Sequence, residues 1–118
     1  MPTLIIRTNL PSSKVDANFT KDMVKIVAQA LKKPESYVVV MIHSDANLSW
    51  GADDQPAAIC TLSSIGKISR DENKKSSALI QKAIEAKLGI STSRQYLVFE
   101  DLKKENVGYQ AITFDDLI

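Results

Sequence analysis

Residues Thr3 to Thr8 carry three consecutive apolar positions, Leu4-Ile5-Ile6. Apolar side chains on both faces of a strand fit the middle of a sheet better than an edge. Asn9-Leu10-Pro11 stops this strand, and the spacing then changes to helical at Val15, Phe19, Met23, Ile26, Val27, Ala30 and Leu31. An amphipathic helix of about five turns is expected, with a capping box at Ser13 and Asp16. Lys32 and Lys33 are placed in its last turn and Pro34 ends it. Tyr37 to Ile42 is the strongest strand signal, β-branched, aromatic and short. A polar loop from Ser44 to Pro56 follows, with Leu48-Ser49-Trp50 as a short extended piece. Ala57 to Ile65 alternates, with Ile59, Thr61 and Ser63 on one side and Ala58, Cys60 and Leu62 on the other. Gly66 ends this third strand. Ser69 and Glu72 form a second capping box before Leu79, Ile80, Ala83, Ile84 and Leu88, and Gly89 stands where a helix stops in the left-handed conformation. Gln95 to Phe99 is a fourth strand. Val107-Gly108-Tyr109 and Ile112-Thr113-Phe114 are short extended pieces before the polar end Asp115-Asp116.

The two halves match as strand, capped helix, polar link and strand opened by a tyrosine. Leu31 and Leu88 close the helices 57 residues apart, and Tyr37 and Tyr96 mark the second strands 59 residues apart. This is a duplicated βαβ unit. Each helix crosses between two parallel strands, so both must cover one face of a single four-stranded mixed sheet. The expected fold is therefore α+β in two layers, one domain over residues 1–118. The other sheet face is left apolar and bare, and another copy of the chain is its nearest cover. An obligate homo-oligomer is expected.

Composition narrows the function classes. With 15 basic and 14 acidic residues the net charge is +1, which gives no electrostatic case for nucleic acid or an anionic membrane. No apolar run is long enough to span a bilayer, and no basic segment precedes an apolar one as in a signal peptide. A soluble cytoplasmic protein is expected. The single cysteine, Cys60, rules out an internal disulfide and any Cys-x-x-Cys pair and reads as a small buried apolar residue. His43 has no ligand-spaced partners, so neither a metal nor any other cofactor is expected.

One candidate for chemistry stands at the start. Once Met1 is removed, Pro2 carries the free α-amino group as a secondary amine. Such a group titrates at roughly 7.7–8.0, and desolvation lowers that value toward neutrality. Held at the start of a rigid buried strand, it has a fixed direction and can act as a base. Read alone, Met1-Pro2 is more often an ordinary terminus with no role.

The motifs Met1-Pro2, Thr8-Asn9-Leu10-Pro11, Lys33-Pro34 before Tyr37, Ser64-Ile65-Gly66-Lys67-Ile68, Tyr96, Asn106-Val107-Gly108 and Thr113-Phe114 occur here together. In this combination the chain resembles the macrophage migration inhibitory factor family of the tautomerase superfamily, from Met1 to about Phe114. The resemblance implies a homotrimer whose short C-terminal strands pair onto neighbouring subunits. It also implies an active site at each subunit interface, where the proline is the base in keto-enol tautomerisation of phenylpyruvate or dopachrome methyl ester. Its members are, in addition, cytokines secreted without a signal peptide, which implies a cell-surface receptor as a partner.

Carried over by position, Pro2 is the catalytic base. Lys33 faces the substrate's carboxylate or enolate and keeps the proline neutral through like-charge repulsion. Its alternative is a solvated lysine at a helix end, the reading given to Lys32. Ile65 offers a backbone N–H, with Ser64 beside it. Tyr96, from an adjacent subunit, and Tyr109 form the apolar mouth, and Val107 and Phe114 belong to the same wall, chiefly as packing. Tyr37 is taken as the start of a core strand and left out of the site.

Four positions depart from the family pattern. Val98 stands where an asparagine often hydrogen-bonds a substrate's phenolic hydroxyl, which counts against 4-hydroxyphenylpyruvate but not phenylpyruvate. Glu100 replaces a common aromatic and Tyr109 a common tryptophan. Ala57 replaces the first cysteine of a Cys-x-x-Cys found in some relatives, which leaves Cys60 without a resolving partner for thiol–disulfide exchange. Two functions follow from the resemblance: a proline-dependent tautomerase of small aromatic α-keto acids, and a secreted, receptor-binding ligand with a vestigial pocket.

Overall fold

The computed structural model describes residues 1–117. Its main sheet is ordered β2-β1-β3-β4, from β1 (Thr3–Thr8), β2 (Val39–His43), β3 (Ala58–Ser64) and β4 (Gln95–Asp101). β1 runs parallel to β2 and antiparallel to β3, and β3 runs parallel to β4. Each half is thus a βαβ unit, with α1 (Phe19–Leu31) crossing from β1 to β2 and α2 (Arg70–Leu88) from β3 to β4. The halves join through β1 and β3 at the centre.

The register decides the two faces. Leu4 lies opposite Leu62, Ile6 opposite Cys60 and Thr8 opposite Ala58. All six are fully buried, together with Phe19, Met23, Val27 and Leu31 of α1 and Ile80 and Ile84 of α2. One apolar core forms between sheet and helices, each large side chain in it contributing about 1.5–3 kcal/mol. Thr8 is tolerated there because its hydroxyl donates to the carbonyl of Ala57 at 2.6 Å and accepts from the N–H of Leu10 at 3.1 Å. Beside it the Asn9 amide donates to the carbonyls of Asp54 and Gln55 and accepts from the N–H of Ala57. The link between Thr8-Asn9 and the segment before β3 explains why β3 starts where it does.

The alternation expected for β3 and the bounds of β1 match the structure, and three expectations on either side of α1 are corrected. First, α1 starts at Phe19, not at a cap on Ser13: residues Ser12–Lys14 form a 3-10 turn, and the carboxylate of Asp16 binds the N–H of Asn18 at 2.7 Å. Asp16 therefore closes a local turn instead of capping a helix. Second, the helix ends at Leu31, and Lys32 follows as a left-handed cap at φ 53°. The two lysines stand beyond the last turn. Third, Tyr37 belongs to a 3-10 turn, Glu35–Tyr37, and not to β2. Pro34 at φ −61° and ψ 137° leads into that turn, which delays the strand to Val39.

α2 is bounded as expected: the Ser69 hydroxyl accepts from the N–H of Glu72 at 3.3 Å, and Gly89 closes the helix at φ 72°. At the end of the chain, β5 (Gly108–Tyr109) and β6 (Ile112–Thr113) pair antiparallel in a ribbon of their own, followed by one turn of helix, α3 (Phe114–Leu117). Phe114 is in that turn rather than extended, and it is buried. The piece expected around Trp50 is reduced to a bridge between Trp50 and Asp53.

The second sheet face is bare. Val39, Met41, Ile59, Tyr96 and Val98 are exposed there, and the register aligns them in cross-strand rows, Met41 with Ile5, Thr61 and Val98, and Arg7 with Ile59 and Tyr96. Replacing Ser69 with alanine removes the side-chain partner of the Glu72 N–H, and the expected loss is about 1 kcal/mol of unfolding free energy, measured by urea denaturation. A loss below 0.3 kcal/mol, on the order of a surface substitution, would mean the cap contributes nothing.

Candidate active site at the start of the central strand

Pro2 sits immediately before β1, where its missing N–H costs the sheet nothing. Its carbonyl accepts from the N–H of Val39 at 3.0 Å, and its ring is fully buried. Continuing the pairing of Thr3 with Ser63 sets Pro2 across from Ser64. Met1 rests at the mouth of a hollow of about 220 Å³ that is lined also by Lys33, Pro34, Tyr37, Ile65, Phe114 and Leu117. A second hollow of about 190 Å³ adjoins it, shared by Met1, Tyr37 and Phe114 with Val39, Val107 and Tyr109.

Local backbone geometry explains how Lys33 arrives. After α1 the left-handed Lys32 turns the chain, and the N–H of Lys33 returns to the carbonyl of Ala28 at 3.1 Å. The Lys33 ammonium then donates to the carbonyl of Ile65 at 3.3 Å. β3 ends just before, and Gly66 at φ 79° and Lys67 at φ 64° turn the chain away. Ser64 is buried, and its hydroxyl has no hydrogen-bond partner among the described residues. The aromatic wall is contributed by three elements: Tyr109 and Phe114 stack at 5.4 Å between centroids and 9° between planes, and Tyr37 meets them edge-on at 5.9 and 6.3 Å.

Among the described residues, burial shifts the titration of two groups. Burial, and after it the charge of Lys33, lowers the α-amino group of Met1 below its ordinary value of 8.0. An amine at this end of β1 is therefore biased toward its neutral, proton-accepting form. Cys60 is the opposite case: burial pushes its thiol from 9.0 up to about 12, so it is not a nucleophile at neutral pH.

The structure brings Pro2, Lys33, Ser64, Ile65, Tyr109, Val107 and Phe114 to one end of the sheet. It does not bring Tyr96 and Val98 there. Both point from β4 onto the bare face, Tyr96 at 63% exposure. Tyr37 corrects the sequence reading in the other direction: it is 43% exposed and lines both hollows. The signal that could have placed it is Pro34, three residues earlier, which favours a turn over a strand. Pro34, read from the sequence only as a helix stop and part of a motif, and Leu117 are further lining residues. Among the described residues no three His, Cys, Asp or Glu side chains cluster as a metal site, and no helix is long and apolar enough to cross a membrane.

A family model described as Macrophage migration inhibitory factor (MIF) matches residues 1–115. The chain belongs to the macrophage migration inhibitory factor family. A macrophage migration inhibitory factor homolog of Trichuris trichiura is 37% identical over 114 residues, covering 97% of this chain and all of the relative. The Xenopus tropicalis macrophage migration inhibitory factor is 36% identical, with 97% and 99% covered. Among solved structures, the Trichinella spiralis macrophage migration inhibitory factor superposes with a TM-score of 0.93 at 37% identity, covering 95% of this chain and 99% of that one. The match thus includes the strand, the two turns and the aromatic ribbon that build the hollow.

The raised Cys60 titration gives a direct test. The native thiol is expected to stay silent to Ellman's reagent at pH 8 and to react within the mixing time in 6 M guanidinium, where the chain unfolds. Stoichiometric reaction of the folded protein at a rate near that of free cysteine would contradict the burial assigned to it.

Proposed function

We propose that this family member is a keto-enol tautomerase of small aromatic α-keto acids, with Pro2 as its base once Met1 has been removed. The observation that carries the reading is the hollow itself: an amine at the start of β1, partly desolvated, beside the Lys33 ammonium. Removal of Met1 frees the Pro2 nitrogen, whereas retained Met1 holds it as a non-basic amide. The free secondary amine takes a proton from the carbon next to the substrate's carbonyl and, as its conjugate acid, gives a proton to the enolate oxygen, which returns the amine to its neutral form. In reverse, the protonated proline returns the proton to carbon. Lys33 stabilises the carboxylate and the charge that develops on the enolate oxygen, and its like charge resists protonation of the proline. The N–H of Ile65 is a further donor, and Tyr37, Tyr109 and Phe114 supply an apolar wall for an aromatic ring.

The same reading makes the active unit a homotrimer. The bare face of Val39, Met41, Ile59, Tyr96 and Val98 is covered by neighbouring subunits, and Tyr96 and Val98 reach a neighbour's pocket. Val98 lacks a polar atom, so the site favours phenylpyruvate over 4-hydroxyphenylpyruvate. A second reading, a secreted signalling ligand with a cell-surface receptor, is supported by the relatives' designation as migration inhibitory factors.

Pro2→Gly, prepared with Met1 removed, is expected to lower kcat/KM for phenylpyruvate by about 10²-fold or more, the usual contribution of a positioned base. Undiminished turnover would end the assignment. The same variant separates the two readings in a cell-migration assay, since full signalling without turnover makes the pocket dispensable to the ligand role. The assembly is tested by sedimentation equilibrium: the wild type should run at three times the 13.0 kDa chain mass, and Ile59→Glu, which sets a charge on the covered face, should shift it to monomer. A monomeric wild type would refute the trimer.

A further inference from the structure

Trp50, the chain's sole tryptophan, is not used by the chemistry above, yet its ring meets both Tyr96 and Arg94. Its ring packs on Tyr96 at 4.5 Å between centroids, tilted by 31°. On the same ring lies the guanidinium of Arg94, 5.9 Å from the centroid. Arg94 ends the 3-10 turn Thr92–Arg94, one residue before β4, and Tyr96 is the second residue of that strand.

The hairpin carrying Trp50 is fastened by Arg94. The N–H of Trp50 donates to the carbonyl of Asp53 at 2.8 Å and the N–H of Asp53 to that of Trp50 at 3.3 Å, with Gly51 at φ 61° closing the turn. Arg94 donates to the carboxylate of Asp53 at 2.7 Å, to the carbonyl of Pro56 at 2.8 Å and to that of Gln55 at 2.9 Å. A guanidinium with its directions used in this way is fixed in position, and the Trp50 ring contacts both it and Tyr96. Without the tryptophan, the Tyr96 ring loses the packing partner in its own chain that holds its rotamer.

We propose that Trp50 is a positioning residue: clamped by Arg94, it sets the orientation of the Tyr96 ring and so makes the proline pocket that Tyr96 borders selective for aromatic over aliphatic α-keto acids. This rests on the reading of Tyr96 as a wall of that pocket. Indole-to-ring packing of this kind can contribute enough to alter binding about tenfold.

Two measurements test it. In the first, deuterium exchange at C3 of phenylpyruvate and of 2-oxobutanoate in D2O is followed by NMR. Trp50→Ala is expected to raise KM for phenylpyruvate about tenfold, with kcat within about twofold, and to lower the phenylpyruvate-to-oxobutanoate selectivity ratio about tenfold. Trp50→Phe, which keeps a ring on Tyr96, should restore the ratio to within about twofold. An unchanged ratio in Trp50→Ala, or an equal loss on both substrates, overturns the proposal.

The second needs no turnover. Tryptophan emission excited at 295 nm is titrated with phenylacetate, an unreactive aromatic carboxylate. A saturable change is expected in the wild type and should be lost in Tyr96→Ala. No change in the wild type overturns the proposal even where exchange is fast. Protein that gives the emission change but catalyses no exchange retains this inference and loses the tautomerase reading.

Discussion

The double pairing of β1 is the constraint on which the rest depends. It is the one strand of this half hydrogen-bonded on both sides, parallel to β2 and antiparallel to β3, and its alternate side chains fill the core beneath α1 and α2. A strand held in this way cannot fray from its start as a terminal segment ordinarily does. The bond from the Val39 N–H to the Pro2 carbonyl extends the restraint to the residue ahead of the strand. The end of the chain is thereby placed with the precision of a core position. Its nitrogen gains the partial desolvation that comes with that placement, and the two properties a base needs, fixed direction and a lowered pKa, have one structural origin.

Lys33 is brought to the same place by a different device. A lysine continuing α1 would have been carried along the helix axis. The left-handed conformation of Lys32 instead breaks the helix, and the strain of φ 53° in a non-glycine residue is offset by the return bond from Lys33 to Ala28 and by the ammonium's contact with the Ile65 carbonyl. That contact matters for the electrostatics. It ties the charge to the end of β3 and leaves it close enough to act on an amine at the start of β1, the neighbouring strand.

The legible part of the fold was the part set by periodicity and caps. Leu4-Ile5-Ile6, the alternation from Ala58 to Ser64 and the Ser69–Glu72 and Gly89 bounds of α2 each depend on residues near in sequence. Misreadings occurred where two local signals competed. Ser13 and Asp16 have capping-box spacing, yet the Asp16 carboxylate is satisfied by Asn18 and the helix waits until Phe19. Tyr37 has every strand preference, yet Pro34 and Glu35 direct it into a turn. Of the site, Pro2, Lys33 and Ile65 were legible through the motifs that flank them, because each lies at the end of an element. Tyr37, Pro34 and Leu117 were not, since lining a hollow is a property of how distant segments meet. Trp50 was legible only as part of a loop; its stacking on Tyr96 depends on Arg94, 44 residues away.

The bare face closes the argument. The register puts Ile5, Met41, Ile59, Thr61, Tyr96 and Val98 on one surface, with Ser63 and Glu100 hydrogen-bonded at its margin at 3.3 Å. An apolar surface of adjoining strands left in water would work against solubility. A second copy presents the matching surface at the matching concentration, so self-association is the economical cover. Once covered, the face has a further consequence: side chains that point away from the chain's own Pro2, Tyr96 and Val98 among them, are those able to enter another chain's pocket. Under the proposed reading, the departures at Val98 and Glu100 alter how one subunit completes its neighbour's site, while the hollow around each chain's own proline keeps its geometry.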